Sequence, residues 1–120
     1  DAAFAASQPR VVAGLAKTEP ARAEALAWSL ASDRGVMARA TYDVMTTDLR
    51  GDLAAIRIPV TVAYARDPAM GFFYGVVDQV YATNYAGLAG VRLRPVDGAF
   101  HHLMLDQPAL FAAEVETFLK

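Results

Sequence analysis

Alanine-rich segments with apolar residues at helical spacing fill the first half of the chain. Residues 3–17 and 20–31 are both predicted to be helical, and Pro20 suits the first turn of the second segment, where its missing N–H is no loss. A third helix is predicted to begin at Asp33, whose carboxylate can cap the free N–H groups of the first turn, and to end before Gly51. Its apolar residues recur every three to four positions, at Val36, Met37, Ala40, Val44 and Met45.

The pattern changes after residue 55, where β-branched and other apolar residues become almost continuous. Ile56–Ala65 predicts a strand buried on both faces, which is typical of a parallel sheet. From Phe72 to Tyr85 apolar residues recur in pairs every four positions, which predicts a helix. Val91–Val96 predicts a shorter strand at a sheet edge, where Pro95 is tolerated. A last helix is predicted to begin at Asp106.

The order of these elements predicts an α/β fold. Residues 1–52 would form a helical segment, and residues 53–120 a β-α-β-α part whose two strands are parallel. Parallel strands direct their C-terminal ends to the same edge of the sheet, where open α/β sheets bind ligands. Asp67 follows the first strand directly and His101 follows the second after a short loop. We therefore expect these two side chains to meet at that edge.

Composition and charge exclude several classes of function. The net charge is −2, the only lysines are Lys17 and Lys120, and no basic run exists, so nucleic-acid binding is not expected. No window of eighteen uncharged apolar residues occurs, so no membrane span is predicted. Cysteine is absent, which excludes disulfides and thiolate metal sites. This composition fits both cytoplasm and periplasm, with the cytoplasm favoured. Because the first residue is Asp1 rather than Met, we expect a processed or truncated N-terminus.

Both histidines of the chain are adjacent, in the segment GAFHHLMLDQP. A carboxylate beside an imidazole accepts the Nδ1–H, fixes the tautomer and supports the imidazolium that forms when Nε2 removes a proton. Adjacent residues in extended backbone face opposite ways, so only one histidine can face Asp67. We favour His101 as the base, with His102 packing or facing solvent, and adjacent histidines do not converge on one metal ion.

Other interpretations of the same residues stay open. Asp67 and His101 could be a helix-capping aspartate and an ordinary loop histidine. Asp97, just before the histidine loop, is an alternative acid. Asp106 is most simply the N-cap of the last helix.

Two motifs resemble the C-terminal third of an α/β-hydrolase. They are L-x-x-I-x-x-P-V-x-V-x-Y-x-x-D at Leu53–Asp67 and H-x-x-M-L-D-Q-P at His101–Pro108, joined by a helix and a short strand. In that family the order along the chain is nucleophile, acid, histidine. The resemblance implies that Asp67 is the triad acid, His101 the triad base, and the helical segment before Leu53 a cap over the site. It implies hydrolysis of an ester or amide without a metal or an organic cofactor. Phe100 stands where the family usually has glycine.

The nucleophile of that family is missing from this sequence. No Gly-x-Ser-x-Gly turn occurs, and none of the three serines, Ser7, Ser29 and Ser32, follows a predicted strand. We therefore expect a serine hydrolase only if the serine comes from outside these residues. A weaker variant has His101 activating water directly. The alternative is a truncated, non-catalytic module for oligomerisation or ligand binding. Two strands with open edges do not form a stable sheet, so we also expect a homo-oligomer or a separate N-terminal chain as partner.

Overall fold

The computed structural model describes residues 2–120. Its α-helices are α1 (Ala2–Ala13), α2 (Glu19–Ala31), α3 (Arg34–Thr46), α4 (Val77–Asn84), α5 (Leu103–Asp106) and α6 (Pro108–Leu119). Two segments, Arg50–Ala55 and Pro68–Gly75, are 3-10 helices, and the strands are β1 (Thr61–Arg66) and β2 (Arg92–Asp97).

The predicted α/β fold class is wrong. Helices make up 64% of the chain, and among residues 2–120 the only sheet is the parallel pair β1–β2. An α/β fold needs a sheet broad enough to form a layer between helices, and two strands do not supply one. The truncated α/β-hydrolase-like architecture is corrected with it: the protein is a small helical protein that carries a two-stranded parallel sheet.

The starts of two early helices follow from side-chain caps. The Thr18 side chain accepts a hydrogen bond from Ala21 N at the start of α2, and that of Asp33 accepts one from Val36 N at the start of α3, as predicted for Asp33. Each cap satisfies one of the N–H groups that a first helical turn leaves free. The predicted helix over residues 3–17 is too long, because α1 ends at Ala13, before Gly14.

The predicted helix from Phe72 to Tyr85 is broken in the structure. Its first part belongs to the 3-10 segment Pro68–Gly75, and only Val77–Asn84 is α-helical. Gly71 lies in the left-handed region with φ of +62°, where glycine carries no steric penalty. The kink leaves Phe72 89% exposed, although the pairing pattern predicted it on a buried face.

The two strands are parallel neighbours, as predicted. Thr61 lies opposite Arg92, and the register continues to Arg66 opposite Asp97. The first strand is shorter than the predicted Ile56–Ala65, since it begins only after Pro59. The crossover through α4 brings the C-terminal ends of both strands to one edge, and the residues that follow them lie at that edge.

The core beneath the sheet is small. Ala65, Val96, Ala99 and Leu103 form a buried cluster, and Phe111 of α6 packs against it. No residue of α3 is buried. The accessible surface is 8277 Å², whereas a compact chain of this mass exposes about 6,300 Å². Much apolar surface therefore remains uncovered.

Candidate functional site

Asp67 is a buried carboxylate at the C-terminal end of β1. It is 3% exposed and begins the 3-10 segment Pro68–Gly75, where its Oδ1 accepts a hydrogen bond from Ala69 N at 2.8 Å. Its Oδ2 lies 2.5 Å from the Nζ of Lys17. The hydrogen bond from Lys17, with that from Ala69 N, holds the pKa of Asp67 below its ordinary value. Asp67 is therefore an anion whose charge is already compensated.

Lys17 reaches Asp67 because hydrogen bonds hold the loop between α1 and α2, residues 14–18, against the C-terminal end of the sheet. The N–H of His102 donates to the carbonyl of Leu15 at 2.9 Å. The N–H groups of Lys17 and Thr18 both donate to the carboxylate of Asp106, at 2.9 and 3.0 Å. The loop thus lies against the segment that carries both histidines.

Asp106 joins these two loops. Besides the bonds from the α1–α2 loop, its Oδ2 accepts the N–H of Phe100 at 2.9 Å, and the side chain is 7% exposed overall. Burial disfavours the charged form, but the hydrogen bonds from Phe100, Thr18 and Lys17 together outweigh it, so the pKa of Asp106 is lowered. The carboxylate fixes the backbone on both sides of the candidate site.

The expectation that Asp106 caps the last helix is wrong. Asp106 closes the single turn α5, and α6 begins at Pro108 after Gln107, whose side chain forms no cap. Pro108 itself removes one of the N–H groups that would need a cap. The carboxylate is therefore available for distant partners in the α1–α2 loop.

His101 is exposed and borders an open cleft of about 480 Å³. Most of the cleft is lined by apolar and aromatic side chains, including Met70, Phe73 and Phe100. The described residues form no hydrogen bond or ion pair with the imidazole, whose ring centroid lies 5.1 Å from that of His102. A base in this position has access both to solvent and to an apolar surface.

His102 is oriented differently from its neighbour. Its ring meets Trp28 edge-on at 6.1 Å, and the residue is half-buried. Burial lowers the pKa of His102, and repulsion from His101 adds to the effect. Of the two expected placements of His102, packing or facing solvent, this contact agrees with packing.

The structure places Asp67 and His101 on loops at the same sheet edge but does not join them. Within residues 2–120, neither a hydrogen bond nor an ion pair links the two side chains. Asp67 forms its ion pair with Lys17 instead. Sequence reasoning missed Lys17, whose signal was its rarity: it is one of only two lysines. The alternative acid Asp97 is exposed and paired with Arg66 at 2.6 Å.

None of the three serine hydroxyl groups forms a hydrogen bond with His101 among the described residues. The hydroxyl groups of Ser7 and Ser32 donate to backbone carbonyls of their own helical turns, and that of Ser29 donates to Gln8 Oε1. None of these partners belongs to the sheet edge. Across residues 2–120, no group of three or more histidine or acidic side chains is arranged to hold a metal ion.

Comparison with family models, curated proteins and solved structures finds no match for this chain. In the part of the chain that the structure describes, no helix has the length and apolar character needed to cross a membrane. Interpretation of the site therefore depends on its own chemistry.

Proposed function

We propose that this chain supplies the acid and the base for hydrolysis of a small ester or amide, with His101 as the base and Asp67 as the residue that orients it. The observation that carries the proposal is the position of His101. It is an accessible imidazole beside an apolar cleft, at the sheet edge where a buried, ionised carboxylate also lies. The resemblance of Leu53–Asp67 and His101–Pro108 to the end of an α/β-hydrolase supports the same assignment.

In the proposed reaction this chain contributes two groups, the imidazole of His101 and the carboxylate of Asp67. Nε2 of a neutral imidazole takes a proton from the attacking hydroxyl or water as that oxygen adds to the carbonyl carbon, then returns it to the leaving group. Asp67 would accept the Nδ1–H and stabilise the imidazolium. The serine of a full triad would come from a polypeptide outside these residues, and without it His101 would activate water directly and slowly.

Asp67 has to exchange Lys17 for His101 in this mechanism. The side chain of Lys17 is 42% exposed, so the ammonium group can move into water without being stranded in the interior. The carboxylate itself stays buried, and a buried anion needs a positive or hydrogen-bonding partner. A Nδ1–H from His101 meets that need as Lys17 leaves.

A second candidate function is favoured by the same ion pair. In the structure Asp67 is already satisfied by Lys17, and His101 contacts only the ring of His102 among the described aromatic groups. This arrangement suits a non-catalytic module that binds a ligand in the cleft or associates with a partner. The two candidates differ in whether His101 changes a reaction rate.

Turnover of a chromogenic short-chain ester, p-nitrophenyl butyrate, distinguishes them. We expect slow hydrolysis above the buffer rate by the unaltered chain, lost in His101→Ala and reduced in Asp67→Asn. His102→Ala is the matched control, because it removes the adjacent imidazole and should retain most of the rate. Equal rates for His101→Ala and the unaltered chain would reject the catalytic proposal in favour of the non-catalytic module.

A further inference from the structure

The side of β1 that faces away from β2, its lateral edge, pairs with no other strand within the described chain. Arg92 N donates to Val60 O and Gly98 N donates to Arg66 O, each at 2.9–3.0 Å. In a parallel ladder the N–H and C=O of one residue point to the same side, and successive residues alternate. The backbone groups of Thr61, Ala63 and Ala65 therefore point away from β2, although Ala65 is buried.

The two edges of the sheet differ in how they are protected. On β2, Pro95 occupies a position that faces outward, so its missing N–H removes a donor from the free edge, and the exposed Arg92 and Arg94 precede it. Proline and charge are the usual devices that stop an edge strand from pairing with another chain. From Thr61 to Ala65, β1 carries neither. Only the outer edge of β2 therefore carries features that prevent pairing with another chain.

Apolar surface continues from the open β1 edge onto α6. A groove of about 270 Å³ runs between them, lined mainly by Val60, Ala63, Phe111, Val115 and Phe118. The side chains of Val115 and Phe118 remain 41% and 42% exposed. The whole chain exposes about 2,000 Å² more than a compact chain of its mass, and the uncovered apolar side chains of this groove are part of that excess.

We propose that a second copy of this chain covers this edge, with β1 pairing antiparallel to β1 of the other copy about a two-fold axis. The resulting sheet would have four strands in the order β2-β1-β1-β2. Both of its outer edges would be the protected β2 strand, so the assembly closes at two subunits. The axis runs perpendicular to the sheet, so both copies of α6 lie on one face and their exposed Val115 and Phe118 side chains come together.

Sedimentation equilibrium combined with amide hydrogen exchange tests this arrangement, independently of the proposed function. We expect twice the mass of the chain at high concentration. The amides of Thr61 and Ala63, which point away from β2 and are not fully buried in the single chain, should be protected in the dimer and lose protection on dilution. The amides of Val62 and Tyr64, which face β2, are the internal control and should stay protected throughout.

Ala63→Pro provides the matching variant. It removes a donor only from the outward edge, so it should abolish the dimer while the far-ultraviolet circular dichroism spectrum is retained. A monomer at all concentrations would overturn the inference. So would a dimer in which Thr61 and Ala63 exchange as fast as open amides, because another surface would then be the interface. The exchange measurement on the unaltered chain decides the matter even if the proline variant does not fold.

Discussion

Replacing Asp106 with asparagine should destabilise the protein strongly, although it changes only one atom. The carboxylate accepts the N–H groups of Lys17 and Thr18 on Oδ1 and that of Phe100 on Oδ2, with Lys17 shared between both oxygens. An amide has one acceptor oxygen, and its NH₂ group would face an N–H donor. Whichever way the amide is turned, Thr18 or Phe100 loses its acceptor.

The size of the effect follows from these bonds. One buried N–H without a partner costs about 1–3 kcal/mol, and hydrogen bonds that lose a charged acceptor weaken by about 1 kcal/mol each. With one N–H left without an acceptor and two remaining bonds weakened, we expect Asp106→Asn to lower the free energy of unfolding by about 3–5 kcal/mol. Urea denaturation followed by circular dichroism measures this as a shift in midpoint at constant slope.

Asp33→Asn is the matched control for that experiment. Asp33 is an exposed N-cap that accepts one N–H, from Val36, and asparagine caps a helix about as well as aspartate. Its effect should be within about 0.5 kcal/mol of zero. If Asp106→Asn were equally mild, the junction between the α1–α2 loop and the histidine loop would not be formed as described.

Three further predictions concern the C-terminal end of the sheet, where Asp67 and His101 lie. Lys17→Met should raise ester hydrolysis several-fold, because Asp67 becomes available to His101, whereas Lys17→Arg should leave the rate unchanged; equal rates in both variants would exclude Lys17 as a competitor for Asp67. The pKa values of Asp67 and Asp106 are lowered in the folded state. Their contribution to stability is therefore present above the unfolded pKa of about 3.9 and is lost as the pH falls through the lower folded values. Measuring the free energy of unfolding against pH should show this loss, and Asp106→Asn should make the dependence on pH shallower. Gly98→Ala should cost at least about 1–2 kcal/mol, since Gly98 has φ of +77° and a Cβ there would lie 2.9 Å from the Gln107 side chain; a neutral effect in thermal denaturation would contradict that backbone conformation.

Local sequence signals predicted the elements that depend on local physics. Asp33 caps a helix because a short acidic side chain before an apolar run satisfies free N–H groups. The parallel pairing of β1 and β2 follows from the strand–helix–strand order, since a crossover connection makes neighbouring strands parallel. Pro95 lies on an edge strand, as predicted, because a residue without an N–H cannot donate a hydrogen bond to a neighbouring strand.

The errors arise where long-range contacts or backbone torsion decide the outcome. Asp106 was expected to act on its own helix, but the groups it binds in the α1–α2 loop are 88 and 89 positions away in the sequence. Lys17 was not associated with Asp67 because no local pattern connects residues 50 positions apart. The helix expected from Phe72 failed because Gly71 adopts a left-handed conformation that apolar periodicity does not report.

The most direct test of the proposed acid–base pair is the tautomer of the His101 ring, read from long-range ¹H–¹⁵N spectra at a pH where the ring is neutral. With Lys17→Met, we expect a proton on Nδ1, held by Asp67, and an unprotonated Nε2 facing the cleft. Adding Asp67→Asn should reverse that preference, because the amide no longer offers an anionic acceptor. The same tautomer in both variants would show that Asp67 does not orient His101 and would contradict the proposed function.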